Sequence, residues 1–232
     1  MKFIIGNWKM NGNNKEKDTM LKALHKIKTK NKIILCLPFT LLNGENFGIC
    51  LGAQDISEHS NGAYTGDISG EMIKKTGAKY VIVGHSERRL YHHETNEIIH
   101  SKAVAAVKNG LIPIICVGET NEEKNAGKTT SVVKKMVSEC IPKMGKYIIA
   151  YEPRWAIGSG LIPSEKDITK IHKVIFDTLN KIGQEKTPIV YGGSVNAQNA
   201  HNISNLPHVD GLLIGGASLK SKTFLPIIDS ID

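Results

Sequence analysis

Tyr147–Gly160 reads YIIAYEPRWAIGSG, and the fold turns on its first five residues. The run Tyr147-Ile148-Ile149-Ala150-Tyr151 has no polar face, so it fits a short strand buried on both sides, as in a parallel sheet. A carboxylate, Glu152, stands where that strand stops. Pro153 keeps the glutamate out of helical geometry and fixes the exit of the chain. Trp155 follows as a large apolar cap, with Ile157 and the small residues Ala156, Gly158, Ser159 and Gly160 behind it. A rigid start, an apolar cap and a flexible far end describe a loop able to close over a charged site and exclude water from Glu152. A tight strand-to-helix turn that happens to contain Glu-Pro explains these residues equally well.

Runs of the same kind recur along the chain at Phe3–Asn7, Ile33–Leu37, Gly48–Ala53, Tyr80–Gly84, Ile112–Val117, Ile189–Tyr191 and Gly211–Ile214, which with Tyr147–Tyr151 makes eight. Helical periodicity fills most of the gaps, at Lys15–Lys28, Asn96–Lys108, Thr130–Glu139 and Ser164–Lys181. Ser164 offers an N-cap with Glu165 and Asp167 in the first turn. Eight βα units without a dinucleotide fingerprint predict a single domain over residues 1–232, an α/β fold of the closed (β/α)8 barrel type, in preference to an open doubly wound sheet. Two connections are unusual. Pro38–Phe47 leaves room for only about one turn of helix after the second strand, and Asn43-Gly44 breaks it. Gln54–Ser69 is a long polar stretch centred on Asn61-Gly62-Ala63-Tyr64-Thr65-Gly66, a length that marks a binding or interface loop or a disordered one.

The 232 residues carry a net charge of +8, which invites a nucleic-acid reading. Arginine occurs only at 88, 89 and 154, so 27 of the 30 basic residues are lysines. They are scattered over helical segments without interleaved aromatics, as on a solvated surface that attracts anionic metabolites. No apolar run approaches a membrane span, and the first residues enter a strand directly, without the form of a signal peptide. The four cysteines lack zinc or CxxC spacing and read as reduced packing residues of a cytoplasmic protein.

A barrel of this kind builds its active site at the C-terminal ends of its strands. Asn7 and Lys9 close the first strand, His85 the fourth and Glu152 the sixth. Gly192-Gly193-Ser194 follow the seventh, and Gly215-Gly216 the eighth. Glycine turns after adjacent strands let backbone N–H groups approach an anion, so the pair favours phosphate over plain turn glycines. Lys9 alone is one lysine among many, and His85 is one of nine histidines. Ser86 is placed to cap a helix beside His85, and a helix N-terminus disfavours a cationic imidazole.

Several stretches, in order, resemble the triosephosphate isomerase family: Asn7-Trp8-Lys9-Met10-Asn11-Gly12, Gly84-His85-Ser86-Glu87-Arg88-Arg89, Ala150–Gly160, Tyr191-Gly192-Gly193-Ser194-Val195 and Gly215-Gly216-Ala217-Ser218. The likeness runs from Phe3 to about Leu225. It implies a cofactor-independent, metal-free isomerase of glycolysis and gluconeogenesis that interconverts dihydroxyacetone phosphate and D-glyceraldehyde 3-phosphate through an enediolate. In that reading Glu152 is the base and His85 the electrophile. Lys9 stabilises negative charge on the substrate oxygens, Asn7 lines the same side, and Glu87 holds Lys9 from behind. Gly158, Ser194, Gly215 and Gly216 bind phosphate, while Pro153, Trp155, Ala156, Ile157, Ser159 and Tyr191 form or latch the lid. Cys116 and Glu119 support the site from behind. The resemblance also implies a homodimer in which the loop around Thr65, with Gly66 and Asp67, inserts beside Asn7 and Lys9 of a second subunit. Asp67, where the family has glutamate, lies opposite an arginine that matches Arg88.

Three departures stand out. The helix after strand two is clipped. Arg154 takes a hinge position that is apolar in the family. Pro163 stands where many members offer a backbone N–H to the tyrosine matching Tyr191. The two lid changes predict altered loop kinetics without loss of function. Rival readings are another phosphate-binding barrel, such as an aldolase or sugar-phosphate epimerase, and a non-catalytic basic scaffold for nucleic acid. The first needs a Schiff-base lysine or metal ligands in the mouth, and the second leaves the set Lys9, His85 and Glu152 unexplained.

Overall fold

The computed structural model describes residues 1–157 and 160–231, so the expectations for Gly158 and Ser159 lie outside the described residues. In chain order the elements are β1 (Phe3–Asn7), α1 (Asn14–His25), β2 (Lys32–Cys36), a 3-10 turn (Phe39–Leu41), β3 (Cys50–Ala53), α2 (Gly70–Lys75), β4 (Tyr80–Val83), α3 (Ser86–Tyr91) and α4 (Asn96–Lys108). They continue with β5 (Ile112–Val117), α5 (Asn121–Asn125), α6 (Thr129–Cys140), β6 (Ile148–Tyr151), a 3-10 turn (Arg154–Ala156), α7 (Glu165–Asn180), β7 (Ile189–Tyr191), α8 (Ala200–Ser204), β8 (Gly211–Ile214), a 3-10 turn (Gly216–Ser218) and α9 (Ser221–Ile231). Each strand pairs in parallel with the next, and β8 returns to β1 with Phe3 opposite Gly211, so the sheet closes into a barrel.

The strands look apolar throughout because both faces are buried. Alternate residues (Ile5, Ile34, Cys36, Ile82, Ile114 and Leu213 among them) pack on one another inside the ring. Their neighbours (Ile4, Leu35, Val81, Ile115, Ile149 and Leu212 among them) pack outward against the helices. The alternation follows from the two-residue period of a strand.

Most boundaries fall within a residue or two of the sequence reading, and the shifts have local causes. The third strand starts at Cys50, not Gly48, because Phe47 (φ 51°) and Gly48 (φ 81°) are left-handed and turn the chain first. The fourth ends at Val83 because Gly84 (φ 67°) turns it; a Cβ there would meet Ile99 Cδ1 at 2.7 Å. Ser164 caps α7 as expected, accepting the Asp167 N–H at 3.1 Å. The second unit is as thin as its sequence, a single 3-10 turn. Lys17, buried on α1, pins it by donating to the Asn43 carbonyl at 2.7 Å and to Asn43 Oδ1 at 3.2 Å.

Candidate active site

Side chains that end β1, β4 and β6 meet at one mouth of the barrel. Asn7 is the last residue of β1, and its Oδ1 accepts the Lys9 N–H at 3.0 Å. That bond helps hold Lys9 at φ 53°, a conformation uncommon for a residue with a side chain. The Lys9 ammonium reaches Glu87 Oε1 at 2.5 Å, which fixes its height over the mouth.

His85 is the N-cap of α3 and is 6% exposed. This corrects the expectation that Ser86 caps the helix: the serine is its first residue, and the imidazole Nδ1 accepts the Glu87 N–H at 3.2 Å. The consequence for the histidine is the one expected of a helix start. A ring nitrogen that accepts a backbone hydrogen carries no proton, so the proton of the neutral ring sits on Nε2. Nε2 lies 3.3 Å from Glu152 Oε1.

Glu152, 3% exposed, follows β6, and its Oε2 accepts the Ser86 N–H at 3.4 Å. Two glycines make room for it. A Cβ on Gly192 would stand 2.8 Å from Glu152 Cγ, and one on Gly118 would overlap the Glu152 carbonyl oxygen at 1.8 Å. Gly192 was expected only as part of a phosphate turn, and Gly118 was not singled out at all. A lone glycine after a strand gives no sign in sequence of what it must let pass.

The cavity enclosed by these groups measures about 290 Å³. Its far wall is made by Ser194, Gly215 and Gly216, with the apolar side chains of Ile157, Ile162 and Leu213 around it. The last two were not anticipated. Gly215 faces Lys9, whose Cε would lie 3.5 Å from a Cβ on Gly215.

The lid stem is bound to neighbouring loops. Glu119, 1% exposed, accepts from Trp155 Nε1 at 2.8 Å and from the Tyr151 hydroxyl at 3.3 Å. Lys124 lies over the Trp155 ring, 3.2 Å from its centroid, a contact the sequence did not suggest. Arg154 donates through Nε to the Gly118 carbonyl at 2.9 Å and through its backbone N–H to Glu119 at 3.0 Å. Ser194 Oγ donates to the Ala156 carbonyl at 3.0 Å, which joins the stem to the phosphate turn. Pro153 starts the turn by accepting the Ala156 N–H. Tyr191 and Pro163 are both buried, and the Tyr191 hydroxyl has no hydrogen-bond partner among the described residues. Cys116 packs inside the barrel, where burial and the Glu152 carboxylate push its thiol well above its ordinary pKa, so it stays protonated.

Thr65, Gly66 and Asp67 project into solvent. Their loop is closed at its base by the Ser57 N–H on the Ile68 carbonyl and stiffened by His59 stacked on Tyr64 at 3.8 Å. Within one chain Asp67 accepts from Ser57 Oγ at 2.5 Å, while Arg88 pairs with Asp55 at 2.9 Å and Glu94 at 2.5 Å. Among the described residues no cluster of three or more His, Cys, Asp or Glu side chains is arranged around a metal position, and no helix is long and apolar enough to cross a membrane.

Residues 2–231 match the sequence model of the triosephosphate isomerase family. The triosephosphate isomerase of Chlamydia muridarum is 42% identical over 245 aligned residues, covering 99% of this chain and 91% of that one. That of Albidiferax ferrireducens is 43% identical, covering 99% and 98%. The crystal structure of triosephosphate isomerase from Bartonella henselae superposes with a TM-score of 0.89 at 37% identity, over 99% of this chain and 98% of that one.

Proposed function

Given that the chain belongs to the triosephosphate isomerase family and so is an isomerase of triose phosphates, we propose that this mouth interconverts dihydroxyacetone phosphate and D-glyceraldehyde 3-phosphate with Glu152 as the base. The observation that carries the assignment is the buried pair of His85 Nε2 and Glu152 Oε1, 3.3 Å apart. It sets a proton acceptor beside a neutral hydrogen-bond donor, both almost fully buried.

In the reaction Glu152 takes a proton from the carbon next to the carbonyl, and the electron pair of that C–H bond moves toward the carbonyl oxygen. His85 Nε2–H and the Lys9 ammonium stabilise the charge that collects on oxygen, as preorganised donors do best in a dry site. Asn7 lines the same side. Glu152 then returns the proton to the neighbouring carbon. Ser194, Gly215 and Gly216 hold the phosphate by backbone donors. Closure keeps the enediolate from water and from losing its phosphate. The side chains supply all the chemistry of this sequence, with no organic cofactor or metal in any step.

The same reading makes the chain a single catalytic domain that acts as a homodimer in glycolysis and gluconeogenesis. In that dimer the loop Asn61–Asp67 enters the partner's cavity of about 580 Å³ beside Asn7 and Lys9. Exposed Met10, Tyr64, Leu90 and Tyr91 support an apolar contact on that face. The chemistry of the shared position between Asp67 and Arg88 then lies across the subunits. Four unpaired cysteines support a cytoplasmic location.

The test is an isomerase assay coupled to glycerol-3-phosphate dehydrogenase and repeated in deuterated water. Turnover of glyceraldehyde 3-phosphate with deuterium carried into the carbon-bound position of the product is expected, because the proton on Glu152 exchanges between the two transfers. Turnover without any solvent label would point to hydride transfer and refute the base mechanism. Absence of turnover would refute the assignment of activity.

A further inference from the structure

The end of the barrel opposite the catalytic mouth is also open. Phe3, Lys32, Tyr80, Ile112 and Ile148, the first residues of five strands, meet there with the segment 183–188 that leads into β7. They border a cavity of about 610 Å³, more than twice the volume of the catalytic one. Catalysis makes no use of this end. Layers of packed side chains, Ile34, Ile82, Ile114 and Cys116 among them, separate it from Glu152.

Its chemistry is two-sided. The floor is apolar and partly aromatic, from Phe3, Tyr80, Ile112 and Ile148, with Pro188 beside them. The rim carries Lys32, Lys146 and Lys186 against one carboxylate, Glu185. Among the described residues none of the three lysines forms an ion pair with a carboxylate. Lys32 is held over the floor, its ammonium 5.7 Å from the centre of the Tyr80 ring. The Tyr80 hydroxyl raises the pKa of that lysine against the effect of burial, so Lys32 is a fixed cation.

The wall also contains an unsatisfied group. Tyr147 is 3% exposed, with Thr187 close to its hydroxyl, which has no hydrogen-bond partner of good geometry among the described residues. Next to the wall residues in sequence, Met144 and Ile182 are 79% and 52% exposed. Apolar surface, excess positive charge and an unpaired hydroxyl at one concave place are the ordinary makings of a ligand site.

We propose that this end of the barrel binds a small organic anion with a flat apolar body, such as an aromatic carboxylate. The ring lies on Phe3 and Ile112, the half-buried residues of the floor, and the carboxylate sits among Lys32, Lys146 and Lys186. Such a site is independent of the isomerase chemistry and stands or falls without it.

The experiment is a titration of the full-length protein with 1-naphthoate, followed by amide shifts in 1H–15N NMR spectra. One saturable set of shifts is expected, centred on Lys32, Tyr80, Lys146 and Thr187. The double variant Lys32→Gln/Lys186→Gln should bind roughly fivefold to tenfold more weakly, as fits the loss of two partly exposed ionic contacts. Its isomerase turnover should match the parent, which also shows that it is folded. 1-Naphthalenemethanol, with the same ring and no charge, should bind more weakly than naphthoate to the parent and equally to the variant. Shifts centred on Asn7, Glu152 and Gly215, shifts scattered without saturation, or an unchanged affinity in the double variant would each overturn the proposal.

Discussion

Tyr191 shows how one substitution elsewhere changes what a side chain can do. Among the described residues its buried hydroxyl has no partner, and Pro163, near the far end of the lid, has no N–H to offer it. Removing a hydroxyl that makes no bond sacrifices little, since a satisfied one contributes only about 0.5–1.5 kcal/mol. Tyr191→Phe should therefore change turnover less than about threefold and leave the thermal midpoint equal or higher; a large loss of turnover in a folded dimer would show that lid closure brings a new partner. Gly192 has the opposite character. The Cβ of Gly192→Ala would press on Glu152 Cγ from 2.8 Å. A displacement of the carboxylate near 1 Å predicts a fall in turnover on the order of 100-fold with little change in stability, and unaltered kinetics would show that the loop gives way instead. His172 is fully buried, donates from Nδ1 to the His208 carbonyl and, among the described residues, leaves Nε2 without a partner beside the rings of Tyr151 and Tyr191. Burial lowers its pKa from 6.5 to about 4. The unfolded chain then takes up the proton first as pH falls. Stability is fully present above pH 6.5 and declines toward pH 4, by up to about 3 kcal/mol at 1.36 kcal/mol per unit. Urea midpoints across that range should fall for the parent and fall less for His172→Asn; parallel curves would remove His172 from the acid response.

Among the elements, the thin second unit and the lid stem are both held by contacts from neighbouring segments. A barrel normally covers each strand pair with a helix, and here one 3-10 turn does so, tied down by a buried lysine. Lys17→Met keeps the aliphatic stem and strands the Asn43 carbonyl, so it should lower stability by about 1–3 kcal/mol in urea titrations while leaving KM and kcat alone. An unchanged midpoint would mean that water serves the carbonyl as well. The reduced length was legible in the sequence because Asn43-Gly44 interrupts a short stretch, but the lysine that compensates for it was not. A lysine on an amphipathic helix looks the same whether its ammonium meets solvent or a neighbouring carbonyl. The lid stem divides in the same way. Glu-Pro-Arg-Trp announces a rigid exit from a strand, yet the Lys124 stack and the Arg154 bond to Gly118 depend on loops that meet only after closure of the barrel.

At the scale of the molecule, the strand runs could be read because a parallel barrel buries both faces of every strand, leaving short unbroken apolar words in the sequence. The site residues could be read because each sits at the end of one of those words. What could not be read is distance: that His85 itself caps α3, that its Nε2 reaches Glu152, and that Gly118 and Gly192 are there to admit the glutamate. In the proposed homodimer the exposed loop Asn61–Asp67 acquires a purpose. Thr65→Glu should reduce dimer content and activity together when both are followed on dilution, and a fully active monomer by light scattering would contradict the assembly. All of this rests on one carboxylate being the base, and shortening it by one methylene tests that most directly. In Glu152→Asp turnover should fall by on the order of 100-fold, with the affinity for a phosphate-bearing inhibitor nearly unchanged; near-normal turnover would rule out Glu152 as the base.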